Sequence, residues 1–135
     1  MNNIRLFLVC VIAVSSIVMS GAKQMHHGGA KMMILDNVKV PALSEAGARG
    51  QQSFNANCST CHGLNAAGSQ VGPPLIHRLY KPSHHPDAAI RRAVRNGARS
   101  HHWGFGDMPK QNVNDRDLED IIVYVREMQR ASGIE

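Results

Sequence analysis

The residues with chemistry in them are gathered at one point of the chain. Cys58-Ser59-Thr60-Cys61-His62 puts two thiols at i and i+3 with an imidazole directly after the second. Three chemistries use such a run. A dithiol at this spacing can cycle as a redox pair, and thiolates with a histidine can form half of a zinc site. Alternatively, two thiols near a helix end can each add to one haem vinyl group, leaving the adjacent imidazole under the iron. The first needs a βαβ setting, and no strand pattern of any length flanks the motif. The second needs further thiolates, and the remaining cysteine, Cys10, lies inside an N-terminal apolar run. A structural disulfide is also a poor reading, because closing so small a loop removes little unfolded-state entropy. The expected chemistry is therefore covalent attachment of one haem c per chain through Cys58 and Cys61, with His62 as proximal iron ligand.

Six-coordinate iron needs a second ligand. Met108 is the first choice, since it sits between Gly106 and Pro109 in an irregular segment whose backbone can aim a side chain inward. His101 and His102 occupy the same loop and are the alternatives. Met128 falls at a core-facing position of a helix, where packing is the expected role. With both axial positions filled, no site is open to substrate, and what remains is one-electron transfer without enzymatic turnover. A thioether ligand raises the potential relative to two histidines, as does burial of the haem by Leu75, Ile90, Val94 and Phe105. Two other readings stay open. Loss of Met108 from the iron would give a small-ligand sensor, and Met25, His26, His27, Met32 and Met33 are donors suited to copper.

The elements that must position these groups are helices and long loops. Ser44 as N-cap and Glu45 start a first helix, on which Gly50, Phe54 and Cys58 share a face. Glycine inside a helix is unfavourable, so Gly50 points to a close crossing by another element. From Gly63 to Pro82 the pattern is loop-like, broken by Gly72-Pro73-Pro74, with a short turn expected over Leu75 to Leu79. Pro86 in the first helical position, Asp87 in the first turn and Gly97 as terminator frame a second helix. The segment Trp103 to Pro109 is too glycine-rich for one. A last helix opens at Asn114, with Asp117 three residues on, and buries Leu118, Ile121, Ile122, Val125 and Met128. The fold class is all-α, with three main helices and long loops organised by a functional object.

Taken together, these residues make the chain similar to the class I c-type cytochromes, specifically the small single-haem periplasmic ones, over about residues 44–131. The resemblance rests on Gly50, Phe54, Cys58, Cys61 and His62 in register, on Gly72-Pro73-Pro74-Leu75, on Arg95-Asn96-Gly97, on Met108-Pro109, and on Tyr124 in the last helix. It implies the cytochrome c fold, Gly50 and Phe54 crossing Tyr124, and the Pro73 carbonyl holding Nδ1–H of His62. Leu75, Trp103 and Phe105 would line the haem, with the Trp103 indole bonded to a haem propionate.

Composition bounds the rest. Length sets one domain, and only 6 of 135 residues are aromatic (Trp 1, Tyr 2, Phe 3), so a buried tetrapyrrole is expected to complete the core. Residues 1–22 have the order of a cleaved secretory signal: Arg5, an apolar run, then Ser20-Gly21-Ala22. Residues 23–43 read as a flexible Met/His-containing tail and residues 44–135 as the domain. A periplasmic monomer follows, carrying electrons from a respiratory donor to a terminal oxidase or reductase. Net charge is +5, and seven cations between His77 and Lys110 face only Asp87 and Asp107 in that stretch. That suggests steering toward an acidic protein partner rather than nucleic acid, with contact to membranes only through partners.

Overall fold

The computed structural model describes residues 34–135. The expected signal segment, Cys10 and the tail donors Met25, His26, His27, Met32 and Met33 lie outside the described residues. Four α-helices follow in order: α1 (Glu45–Asn57), the single turn α2 (Ser59–His62), α3 (Asp87–Asn96) and α4 (Asp115–Ala131). Short 3-10 turns occupy Leu64–Ala66 and Arg78–Tyr80. Among the described residues there is no strand, only an isolated antiparallel bridge between Ala98 and Met108. No helix among them is long and apolar enough to cross a membrane.

Caps set the helix bounds. Ser44 Oγ accepts the Gly47 N–H at 3.0 Å, and Asn114 Oδ1 accepts the Asp117 N–H at 2.9 Å. Pro86 departs from expectation by one position. It is the extended N-cap of α3, not its first helical residue, so Asp87 opens the helix. The turn expected over Leu75 to Leu79 falls later, where His77 Nδ1 accepts the Leu79 N–H at 3.2 Å and starts the 3-10 turn.

The centre of the fold is the packing of α1 on α4. A Cβ on Gly50 would stand 1.9 Å from the Asp120 carbonyl oxygen, so only glycine lets the two backbones approach this closely. One turn on, Phe54 and Tyr124 are fully buried with ring centroids 5.4 Å apart, the crossing that the resemblance implies. Ile121, Ile122, Val125 and Met128 complete the seam. Arg49 spans it from the surface, donating to both carboxylate oxygens of Asp120 at 2.8 and 3.2 Å.

Residues 35–43, assigned above to the tail, lie on the domain. The Leu35 N–H donates to the Ala67 carbonyl at 2.9 Å, and Leu35, Val38 and Leu43 pack against the core. No helix or strand forms over 35–43, so the stretch carries little local signal.

The loops are fastened by one buried cation. Arg126 of α4 donates to Asp87 Oδ1 (2.8 Å), to the carbonyls of Tyr80 (2.9 Å) and His85 (2.5 Å), and to Gln129 Oε1 (2.6 Å). Gln129 in turn donates to the carbonyls of Leu75 and Tyr80 at 2.8 and 2.9 Å. Carbonyls that regular structure leaves unpaired are thereby satisfied inside the protein. Every end of this network meets the segment 75–87, which forms one side of the site.

Candidate haem site

Between α4, α3 and the loops 73–85 and 98–108 lies a cleft of about 1010 Å³, solvent at its mouth included. Its walls are apolar side chains from several elements, Leu75, Ile90, Val94, Phe105 and Val125 among them. Such a space with few polar groups suits a large flat apolar ligand.

The donor set is arranged along this cleft. Cys58 ends α1 and lines the wall half-buried, while Cys61 is exposed three residues on. Burial, with the Cys61 thiol nearby, pushes the Cys58 thiol up to about 11, so it is a neutral thiol at neutral pH. His62 closes α2 and lines the same cleft. Its Nδ1–H donates to the Pro73 carbonyl at 2.9 Å, which fixes the ring and leaves Nε2 as the free donor atom. Burial holds the imidazole below its usual value, against the opposing effect of the Pro73 bond, and so keeps it unprotonated. A Cβ on Gly72 would stand 2.5 Å from the Cys61 carbonyl oxygen, so the loop that brings in Pro73 sits directly on the motif.

Met108 lines the cleft as well, half-buried. Its backbone is held by the bridge to Ala98, with N–H···O distances of 2.8 and 2.9 Å. Gly97 makes this possible: its φ is +80°, and a Cβ there would stand 2.6 Å from the Met108 carbonyl oxygen. Gly97, expected as a helix terminator, is also the seat of the Met108 segment. The Cys58 thiol, an oriented imidazole nitrogen and a thioether around one apolar cleft, with Cys61 exposed beside it, fit haem c in their donor chemistry.

Other expected residues are placed as follows. Leu75, Trp103 and Phe105 line the cleft, and Pro73 touches it while supporting His62. The indole N–H of Trp103 donates to the Tyr80 hydroxyl at 3.1 Å. Burial raises the Tyr80 hydroxyl to about 12, with the Trp103 bond opposing, and it stays neutral. His102 faces His84 with their Nε2 atoms 3.3 Å apart, and His101 Nδ1–H donates to the Arg99 carbonyl. Tyr80 and His85 on the wall and the Arg126–Gln129 network behind it are not evident from the sequence. Only Arg126 carried a signal, a cation four residues after Ile122 on the buried face of α4.

The basic stretch is partly neutralised. Arg91 pairs with Glu119 at 2.5 Å and Arg95 with Asp115, so two cations of α3 meet the acids of α4. Arg78, Lys81, Arg92, Arg99 and Lys110 make no ion pair among the described residues, and Arg99 lies at the cleft.

An all-α chain wrapped around a cleft that presents Cys58, His62 and Met108 defines a haem-carrying electron-transfer protein. The chain belongs to the cytochrome c family, whose model matches residues 47–129, and so carries covalently bound haem c. It is also similar to the cbb3-type cytochrome c oxidase subunit CcoP of Helicobacter pylori. The protein of strain ATCC 700392 / 26695 is 28% identical over 76 residues, which cover 56% of this chain and 25% of that protein. The protein of strain 52 is likewise 28% identical over 76 residues, with 24% of its length covered. The chain thus spans about a quarter of the curated relatives it matches. No solved structure matches it.

Proposed function

We propose that the chain is an exported one-electron carrier with a single haem c, held by thioethers from Cys58 and Cys61 and ligated by His62 and Met108. The observation that carries this reading is the cleft itself, whose wall holds His62, with Nδ1–H committed to Pro73, and Met108, with its backbone pinned to Ala98. When bound, the haem iron supplies reversible gain and loss of one electron. The protein orients the His62 ring, places the Met108 thioether in the cleft, and keeps water out with Leu75, Ile90, Val94 and Phe105. Met108 is favoured over His102 because the His102 Nε2 is already turned toward His84.

A thioether ligand and an apolar surround both favour the reduced iron, so the carrier belongs at the higher-potential end of a respiratory chain. The likeness to an oxidase subunit supports a terminal oxidase on the accepting side. The unpaired cations Arg78, Lys81, Arg92 and Arg99 suit an acidic partner met through a small, quickly released interface. No enzymatic step is assigned to the chain, and its place is the periplasm. A redox titration of the wild-type protein beside Met108→Ala tests the reading. The variant's midpoint is expected to fall by a sizeable part of the roughly 0.8 V that axial ligation spans. An unchanged midpoint, or carbon monoxide shifting the wild-type ferrous spectrum, would remove Met108 as a fixed ligand.

A further inference from the structure

Two histidine pairs far apart in sequence meet at the edge of the cleft. His84 and His85 end the turn before α3, and His101 and His102 lie in the loop closed by the Ala98–Met108 bridge. One ligand nitrogen from each of His84, His85 and His102 lies within 4.8 Å of the others. The Nε2 atoms of His84 and His102 are 3.3 Å apart. Two nitrogens bound at about 2.0–2.1 Å to a tetrahedral cation stand about 3.3 Å from each other, and adjacent nitrogens of a square-planar one only about 2.9 Å. The spacing is that of a tetrahedral edge.

The third imidazole is set from behind. His85 Nδ1–H donates to the Leu79 carbonyl at 2.6 Å, which leaves Nε2 with its lone pair, and its own carbonyl accepts from Arg126 at 2.5 Å. A backbone bond on the far nitrogen is the usual way a metal-binding histidine is oriented. We propose that His84, His85 and His102 bind a divalent cation of tetrahedral preference, zinc(II) in type, with the fourth position open to solvent on the exposed His84 side. The bound cation would join the turn before α3 to the loop that leads to Met108, two walls of one cleft, without touching Cys58, Cys61, His62 or Met108.

The test uses the full holoprotein, treated with chelator and titrated calorimetrically with zinc sulfate at pH 7.5, and separately with copper(II) sulfate. Wild type should bind one zinc at this site and gain several degrees in thermal midpoint in excess zinc. His84→Gln/His102→Gln should lose at least the roughly 10–100-fold in affinity that even a supporting partner of a ligand contributes. His26→Gln/His27→Gln should bind as wild type does, and the haem optical spectrum should be the same in all three. Equal zinc binding by wild type and the His84/His102 variant would overturn the site, as would loss of binding only in the His26/His27 variant. Failure of wild type to bind zinc, whether or not it takes copper, would also overturn it and leave the three rings as a hydrogen-bonded cluster.

Discussion

The α1–α4 crossing and the cleft beside it are built by opposite means. At the crossing, protein groups satisfy one another: Gly50 admits the Asp120 carbonyl, Phe54 and Tyr124 are fully buried against each other, and Arg49 bonds Asp120 across the seam. Around the cleft, Leu75, Ile90, Met108, Trp103 and Phe105 remain only half-buried although apolar, and all but Ile90 of α3 come from loops with little regular structure. The first region is a side-chain core. The second is the lining for something the chain does not itself supply, which is why 6 aromatic residues suffice in 135.

The strongest way to break this contrast is to remove the attachment points. Cys58→Ala/Cys61→Ala should abolish covalent haem, and circular dichroism should show a largely unfolded chain, because the crossing alone buries too little. A well-folded apoprotein would show that the helices suffice without the cofactor. Next in size is the crossing itself. Gly50→Val forces a side chain against the Asp120 backbone and should cost about 3 kcal/mol in denaturant unfolding, with the haem spectrum of the surviving fold unaltered.

Arg126→Met tests the join between the two regions. It strips partners from the Tyr80 and His85 carbonyls and should cost about 2–3 kcal/mol, and it should also loosen the loop 75–87, seen as faster amide exchange there. The smallest effect is at the Arg49–Asp120 pair. Its hydrogen bonds and charge hold the Asp120 carboxyl below its ordinary value of 3.8. The native state therefore binds fewer protons than the unfolded one in that range. The pair's contribution is complete above 3.8 and is lost as pH falls through the lowered native value. Asp120→Asn should lower stability at neutral pH slightly and flatten the loss in acid, as acid-induced unfolding curves would show.

The two regions also differ in how far they can be read from sequence. The crossing was legible because a helix writes its buried face at fixed intervals: Gly50, Phe54 and Cys58 on one side, Leu118, Ile121, Ile122 and Val125 on the other. The motif Cys58–His62 and the Met108 segment were legible because their chemistry demands particular residue types at particular spacings. The cleft's other wall was not. Tyr80 and His85 owe their positions to hydrogen bonds between distant segments, Trp103 to Tyr80 and Arg126 to His85, and no local pattern encodes such pairs. The histidine pairs were visible as pairs, but only the fold brings His84 to His102. The docking of residues 35–43 escaped for the same reason, since an extended segment lying on a surface has no period to declare it.

The central claim, that His62 and Met108 together hold the haem iron, is tested most directly by the optical spectrum of the ferric holoprotein. A thioether–iron charge-transfer band at the red end should be present in wild type and in His101→Gln/His102→Gln, and absent in Met108→Ala. A wild-type spectrum without that band, or a band that survives Met108→Ala, would contradict it.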